Sequence, residues 1–477
     1  MATRRGTLQG RAKGVCGALA VTLVAASLTF ASTPAGAADE GDKPEWSELD
    51  GAQQGQKSGE QSGEKSGQET SRDAKPKKKK KFKVKQEVVF NHPFVKGREA
   101  AIHRKIISTV KHVKKGEKIR VMTWNFDSPA LHWAMINAHR RGATVQILMS
   151  RGLSKTQGPG RSYPTLKREL AVKNKQRKKK RRSWIRTCSS TCRGRGGAMH
   201  SKLMLVSKAG KSKHIVMQGS ANFTGAAAFN QFNDWTTDVG RKSQYKGWMA
   251  MFRQAKKDRD YSPLRFKNGD VVSMFAPHRS KKDPALKALS TVRCRGANNT
   301  NTRGRTKVRV ANAVWGDARG VRIARRVKQL HNQGCDVRVV VMMLPKKIRD
   351  ILAGVPAKQM VYVTGETANK FKDKYVHLKA LAVRGNVLGR NDGNLVLSSS
   401  ENWTQLGWIS DEQNVMYRNR AGRTGNYIKW IDQIFREAPR TLADYTGAAD
   451  PNGRGTGDLG FLSPEDYDFH ELEAELH

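Results

Sequence analysis

The sequence predicts an α/β protein made of two similar halves, and three observations carry that prediction. A strand, helix, strand pattern occurs twice, as KIRVMTWNFDSPALHWAMINAHRRGATVQILM from Lys118 and KVRVANAVWGDARGVRIARRVKQLHNQGCDVRVVVMM from Lys307. Each copy has the apolar periodicity of a parallel βαβ unit. Each is followed by a His-x-Lys pair that opens an alternating strand, then by a second strand that ends in small residues and an asparagine. The same order in both places marks an internal duplication.

Taken in order, the 477-residue chain opens with Arg4, Arg5, Arg11 and Lys13, an uncharged apolar run over 15–30, and the small residues Ala35, Gly36 and Ala37. This reads as a signal peptide over 1–37 and predicts an exported protein, secreted and free or held at the wall. Thr3, Arg4, Arg5, Gly6, Thr7 and Leu8 loosely fit a twin-arginine signal, although paired arginines also occur in ordinary leaders. No later stretch is long and apolar enough to cross a bilayer. Residues 38–85 form a low-complexity linker (QKSGEQSGEKSGQE) that ends in a basic strap, Lys77 to Lys81 with Lys83 and Lys85. Such a composition cannot offset the entropy of folding.

Order is expected from about Val88. The first half, 86–265, should hold a helix over 98–113, a strand over 119–124, a helix over 130–140 stopped by Gly142, and a strand over 144–149. The second half, 266–445, should hold a helix over 283–292, a strand from Val308, a helix over 321–330 stopped by Gly334, and a strand over 337–342. The boundary is placed in the polar stretch 258–268. Residues 446–477 end in an acidic tail with Glu465, Asp466, Asp468, Glu471, Glu473 and Glu475.

Cys16 lies in the leader, which leaves Cys188, Cys192, Cys294 and Cys335. An even number in an exported chain predicts disulfides, here Cys188 with Cys192 and Cys294 with Cys335, each within one half. A zinc site on Cys188, Cys192 and His200 or His214 is the rival reading, but CxxxC is a weak zinc signature. No metal or cofactor is expected.

Four His-x-Lys pairs occur. His103 with Lys105 and His112 with Lys114 lie in or at the end of the first predicted helix, among charged residues, and read as an exposed helical face. His200 with Lys202 and His377 with Lys379 open the strands HSKLMLV and HLKALAV. Alternation there puts both polar side chains on one face and the leucines on the other. The strands that follow lead into Ser220 and Asn222 in GSANFT, and into Ser400 and Asn402 in SSSENWT.

These residue types suit phosphodiester cleavage. A neutral imidazole can attack phosphorus while a second, protonated one donates to the leaving oxygen. Two lysines and two asparagines can surround the phosphoryl oxygens with charge and donors. A carboxylate should hold each imidazole in the right tautomer, and Asp234 and Glu412 are the candidates, with Asp238 and Asp411 close by.

HSKLMLV with GSANFT, and HLKALAV with SSSENWT, resemble the paired signatures of the phospholipase D superfamily over roughly 86–440. The resemblance implies two similar α/β domains packed about a pseudo-twofold axis with the active site between them. It also implies a two-step, metal-independent reaction through phosphohistidine, with His200 as nucleophile and His377 as acid and base. The sequence departs from the family motif where an aspartate is expected five residues after each lysine; Ser207 and Arg384 stand there.

The net charge of +48 points to a polyanionic partner: nucleic acid, an anionic membrane or a wall polyphosphate. The run KNKQRKKKRR over 173–182 precedes the first catalytic strand and is expected to hold phosphates without base selectivity. Trp124, Trp184 and Trp315 read as core. The sequence thus predicts a monomeric phosphodiesterase acting on a phospholipid headgroup or nucleic acid. The alternative is a non-catalytic polyanion-binding or wall-binding protein with a relic site.

Overall fold

The computed structural model describes residues 82–442 except 156, 159, 279–282 and 363–373. The expected signal peptide, most of the expected linker and the acidic tail lie outside the described residues. Each half is built on one mixed sheet. The first has seven strands in the spatial order Glu87–Phe90, Asp234–Asp238, Ser212–Gly219, Leu203–Ala209, Lys118–Thr123, Thr144–Met149, Trp184–Thr187. The second repeats that order with Val271–Phe275, Gln413–Arg418, Arg390–Ser399, Lys379–Val387, Lys307–Val314, Asp336–Met343 and Ala357–Gln359. A short strand is added at each edge, Leu264–Asn268 and Arg440–Thr441. In both sheets the two βαβ strands pair in parallel, Lys118 with Thr144 and Lys307 with Asp336 at their starts, and the strand behind each His-x-Lys pair runs antiparallel to them.

The crossover helices are Pro129–Arg140 and Asp317–Asn332. Ser128 caps the first by accepting from the Leu131 amide, with Pro129 at the first helical position. Gly142 and Gly334 follow the two helices at φ +90° and +87°, a conformation open to glycine at no steric cost.

Period-2 alternation divides the interior into three layers. In the first half Met204 and Val206 pack outward with Ile106, Leu131 and Ile147, while Leu203 and Leu205 face inward. In the second, Leu381 and Val383 pack outward with Ile323 and Val327, while Ala380 and Ala382 face inward. The inward residues of both sheets share one middle core with Trp248 and Phe252 from the helix Lys242–Ala255 and Ile431 from the helix Ala421–Glu437. The halves are thus joined through their cores about a pseudo-twofold axis. The strand Leu264–Asn268 pairs antiparallel with Val271–Phe275 in the second sheet.

Cys188 is bonded to Cys192 and Cys294 to Cys335. Among the described residues no helix is long and apolar enough to cross a membrane, and no three His, Cys, Asp or Glu side chains form a metal-ligand group.

Candidate active site

The two His-x-Lys pairs stand at the C-terminal ends of the central parallel strands, just ahead of their own strands. The strand after His200 begins only at Leu203, and the one after His377 begins at Lys379. The reason is that the backbone there bonds across to the opposite half. The His200 amide donates to the Asp411 carbonyl, Met199 bridges Asp411, and the Lys202 amide donates to Gln413 Oε1. In mirror fashion the His377 amide donates to the Phe232 carbonyl, and Val376 pairs with Phe232.

The side chains repeat this crossing. His200 Nδ1 meets Glu412 Oε1 at 2.5 Å, and the other carboxylate oxygen accepts from Ser400 Oγ. His377 Nδ1 meets Asn233 Oδ1 at 2.9 Å, and the same oxygen accepts from Ser220 Oγ at 2.7 Å. Each imidazole is therefore oriented by a residue of the other half, itself held by the serine of that half's Asn motif. Since carboxylate and amide oxygens only accept, both rings carry their proton on Nδ1 and present Nε2. The Asn233 amide is fixed in that sense, because its Nδ2 donates to Gln231 Oε1 at 3.0 Å.

The position expected for Asp234 on the His377 ring is thus taken by Asn233. Strand register decides this: the Ser220 amide pairs with the Asp234 carbonyl as the Ser400 amide pairs with that of Gln413, which makes Asn233 the counterpart of Glu412. Asp234 ties the halves together instead. It accepts from the Ser220 amide, from Ser398 Oγ at 2.7 Å and from the Tyr427 hydroxyl. Burial pushes its carboxyl above the usual range. Its counterpart Gln413 does the same from the other side, donating to the carbonyls of Lys202 and Gly219. A continuous run of hydrogen bonds leads from His200 through Glu412, Ser400, Gln413, Gln218, Ser398, Asp234, Ser220 and Asn233 to His377. Of the neighbouring acids, Asp411 accepts from the Cys192 amide and Asp238 from Gln244, Tyr417 and Arg423.

Lys202 and Lys379 are 0% and 1% exposed, and Lys202 Nζ donates to the His200 carbonyl at 2.7 Å. Two buried ammonium groups beside two imidazoles make a strongly cationic centre, costly to desolvate and matched to an anion. Asn222 and Asn402 are buried at the heads of short helices, each capped by the threonine of its motif, Thr224 to Ala227 and Thr404 to Gly407. Ser207, five residues after Lys202, bonds the Lys118 amide and Glu117 at the far end of its strand. Five residues of strand put that position roughly 17 Å from Lys202, away from the reacting groups.

Three placements differ from the sequence reading or go beyond it. His103, expected on an exposed face, is fully buried, and its ring hydrogen-bonds the Asn222 backbone. Trp124 packs edge-on against the His200 ring, centroids 5.6 Å apart. Asn402 is supported from beneath by Arg319, which bonds the Asn402 and Thr404 carbonyls at 3.1 Å and the carboxylates of Asp283 and Glu401 at 2.7 and 2.8 Å. Burial works against the Arg319 charge, but those two carboxylates outweigh it and hold the guanidinium protonated.

Burial, against a smaller opposing effect from the Asn222 backbone bond, brings the His103 imidazole down to about 4. A histidine depressed in the folded state protonates more readily when unfolded. Its contribution is present above the unfolded value near 6.5 and lost as pH falls towards 4. His103→Gln should therefore lose less stability than wild type between pH 6.5 and 4, by up to about 3 kcal/mol, measured as urea midpoints at a series of pH values.

Residues 106–238, which include His200, Lys202, Asn222 and Asn233, match the family described as cardiolipin synthase, PLD-like domain. Among solved structures, the chain is similar to the polyphosphate kinase of Porphyromonas gingivalis, with 12% identity over 74% of this chain and a TM-score of 0.47. It spans 50% of that kinase. It is similar to phosphatidylserine synthase of Haemophilus influenzae at 13% identity, covering 76% of this chain and 91% of that one with a TM-score of 0.46. For Nuc of Salmonella typhimurium, a phospholipase D family member, the values are 20%, 37%, 97% and 0.28. No curated protein matches the chain. Over residues 106–238 the chain is thus similar to a PLD-like domain.

Proposed function

We propose that the protein is a secreted phosphodiesterase that hydrolyses a P–O bond through a covalent phosphohistidine on His200. The crossed pairing of His200 with Glu412 and His377 with Asn233 carries this reading, because it gives two imidazoles one tautomer and two unlike partners. Glu412 offers a negative charge to the imidazolium that forms when His200 Nε2 bonds phosphorus, which favours His200 as nucleophile. Asn233 offers only a neutral oxygen, so a protonated His377 gives up its Nε2 proton more readily and suits the acid role.

In the first step the N–P bond forms as the P–O bond to the leaving group breaks, and the departing oxygen takes the His377 proton. In the second, water attacks phosphorus, its proton passes to His377, and the N–P bond breaks. Lys202, Lys379, Asn222 and Asn402 stabilise the phosphoryl oxygens throughout, with no metal required. The leader over 1–37 and the two disulfides fit an extracellular site of action.

The substrate class is a phospholipid headgroup or nucleic acid. Turnover of phosphatidylcholine, single-stranded and duplex DNA, RNA and a bis(4-nitrophenyl) phosphodiester, all in EDTA, separates these. Hydrolysis of the chromogenic ester and one natural class is expected. No turnover of any of them, with His200→Ala indistinguishable from wild type, favours the second reading, a polyanion-binding wall protein with a relic site. Loss of activity with EDTA would defeat the metal-free mechanism.

A further inference from the structure

The basic run 173–182 does not border the catalytic pair. Arg177 donates to the carbonyls of Ala143 and His139 at 2.7 Å, Thr144 Oγ1 donates to the Arg181 carbonyl, and Asn174 clasps Ser183 through both its amide groups. These partners lie at the N-terminal start of the strand Thr144–Met149, whereas His200 lies by Trp124, beyond the opposite end of the adjacent parallel strand. Six residues of strand separate the two ends by roughly 20 Å.

The same sheet end carries further exposed cations. Lys118 starts the neighbouring strand, Lys114 and Lys115 lie in the turn before it, Lys211 lies in the hairpin turn of the next two strands, and Lys213 follows at the start of the second of them. Lys83 bridges Gly210 in that turn. Glu117 and Glu169 are the acids nearby, and both are engaged, with Ser207 and with Arg140. Four adjacent strand ends, about 4.8 Å apart, thus carry a cationic ridge that with its flanking turns is roughly 20 Å long. The hydrogen bonds of Arg177 and Asn174 hold its longest segment in place, so little ordering entropy opposes binding.

We infer that this ridge is a docking surface for a linear polyphosphodiester, separate from the catalytic centre. A row of strand ends is a line of charge, which matches a chain of phosphates better than a plane of headgroups. Binding there should release counterions and read no bases. A polymer held on the ridge has its bound phosphates too far from His200 to be cut, so the ridge tethers. It does not deliver those phosphates to the site.

The test uses the full chain in a His200→Ala background, so that turnover plays no part and a failure of the catalytic reading leaves it intact. Binding of a 20-base-pair duplex DNA is measured against salt for three proteins. One is otherwise unchanged, one has Lys178, Lys179, Lys180 and Arg181 changed to Ala, and one has Lys287, Arg322, Arg325 and Lys347 of the second half changed to Ala. The ridge variant should lower the slope of log K against log salt by about 3 to 4, and the second-half variant by less than 1. The ridge changes, made with His200 in place, should leave turnover of the bis(4-nitrophenyl) ester within twofold. Equal slopes for the two variants would show diffuse attraction and overturn the proposal. So would loss of binding to phosphatidylglycerol vesicles with DNA binding unchanged.

Discussion

His377→Ala should accumulate a stoichiometric phosphohistidine on His200, whereas His200→Ala should form none. Both changes should lower steady-state hydrolysis of an unactivated phosphodiester by about 10⁴-fold, since the groups act as a unit. The 4-nitrophenyl ester separates them, because 4-nitrophenolate leaves without a proton. Attack by His200 then survives the loss of the acid, but the second step needs a base to take the proton from water, and that base is His377. A rapid release of one equivalent of nitrophenolate per site, followed by slow turnover and acid-labile phosphate on the protein, is the expected signature of His377→Ala. The reverse pattern, with adduct only in His200→Ala, would exchange the two roles. A burst in both variants would exclude a single nucleophile.

The duplication was legible because its elements obey short-range rules. The βαβ periodicity, Gly142 and Gly334 as stops, and the repeated His, Lys, Ser and Asn all lie in runs of local pattern. What could not be read is set by register between halves. Asp234 and Asn233 are adjacent, and alternation sends one to the interface and the other to His377, so only the pairing of Ser220 with Asp234 settles which does what. The position of His103 was missed for a similar reason. Its helix is flanked by charge, but Ile102, His103 and Ile106 share the face that turns inward, a stripe the local charge density obscured. The basic run 173–182 shows the limit of adjacency in sequence: it lies close to His200 along the chain, yet a whole strand, Trp184–Thr187, carries the polypeptide from one end of the sheet to the other in between.

The unlike partners of the two imidazoles give the last expectation. Glu412→Gln keeps an oxygen able to accept from His200 Nδ1 but removes the charge that offsets the imidazolium of the adduct. It also brings an NH₂ where Ser400 now donates its hydroxyl. Turnover should fall by about 10³-fold, and with the 4-nitrophenyl ester the loss should appear in the burst itself, because the first step is the one impaired. Asn233→Asp acts on the other histidine. A carboxylate at 2.9 Å from Nδ1 stabilises the protonated His377, which moves the basic limb of the pH–rate profile upward. Stronger proton holding weakens the acid, so the maximum rate should drop while the active range extends to higher pH. If His377 were the nucleophile, Glu412→Gln would leave the burst intact and move the basic limb downward, and Asn233→Asp would change the burst. The two substitutions read together therefore test the division of labour between the rings without removing either of them.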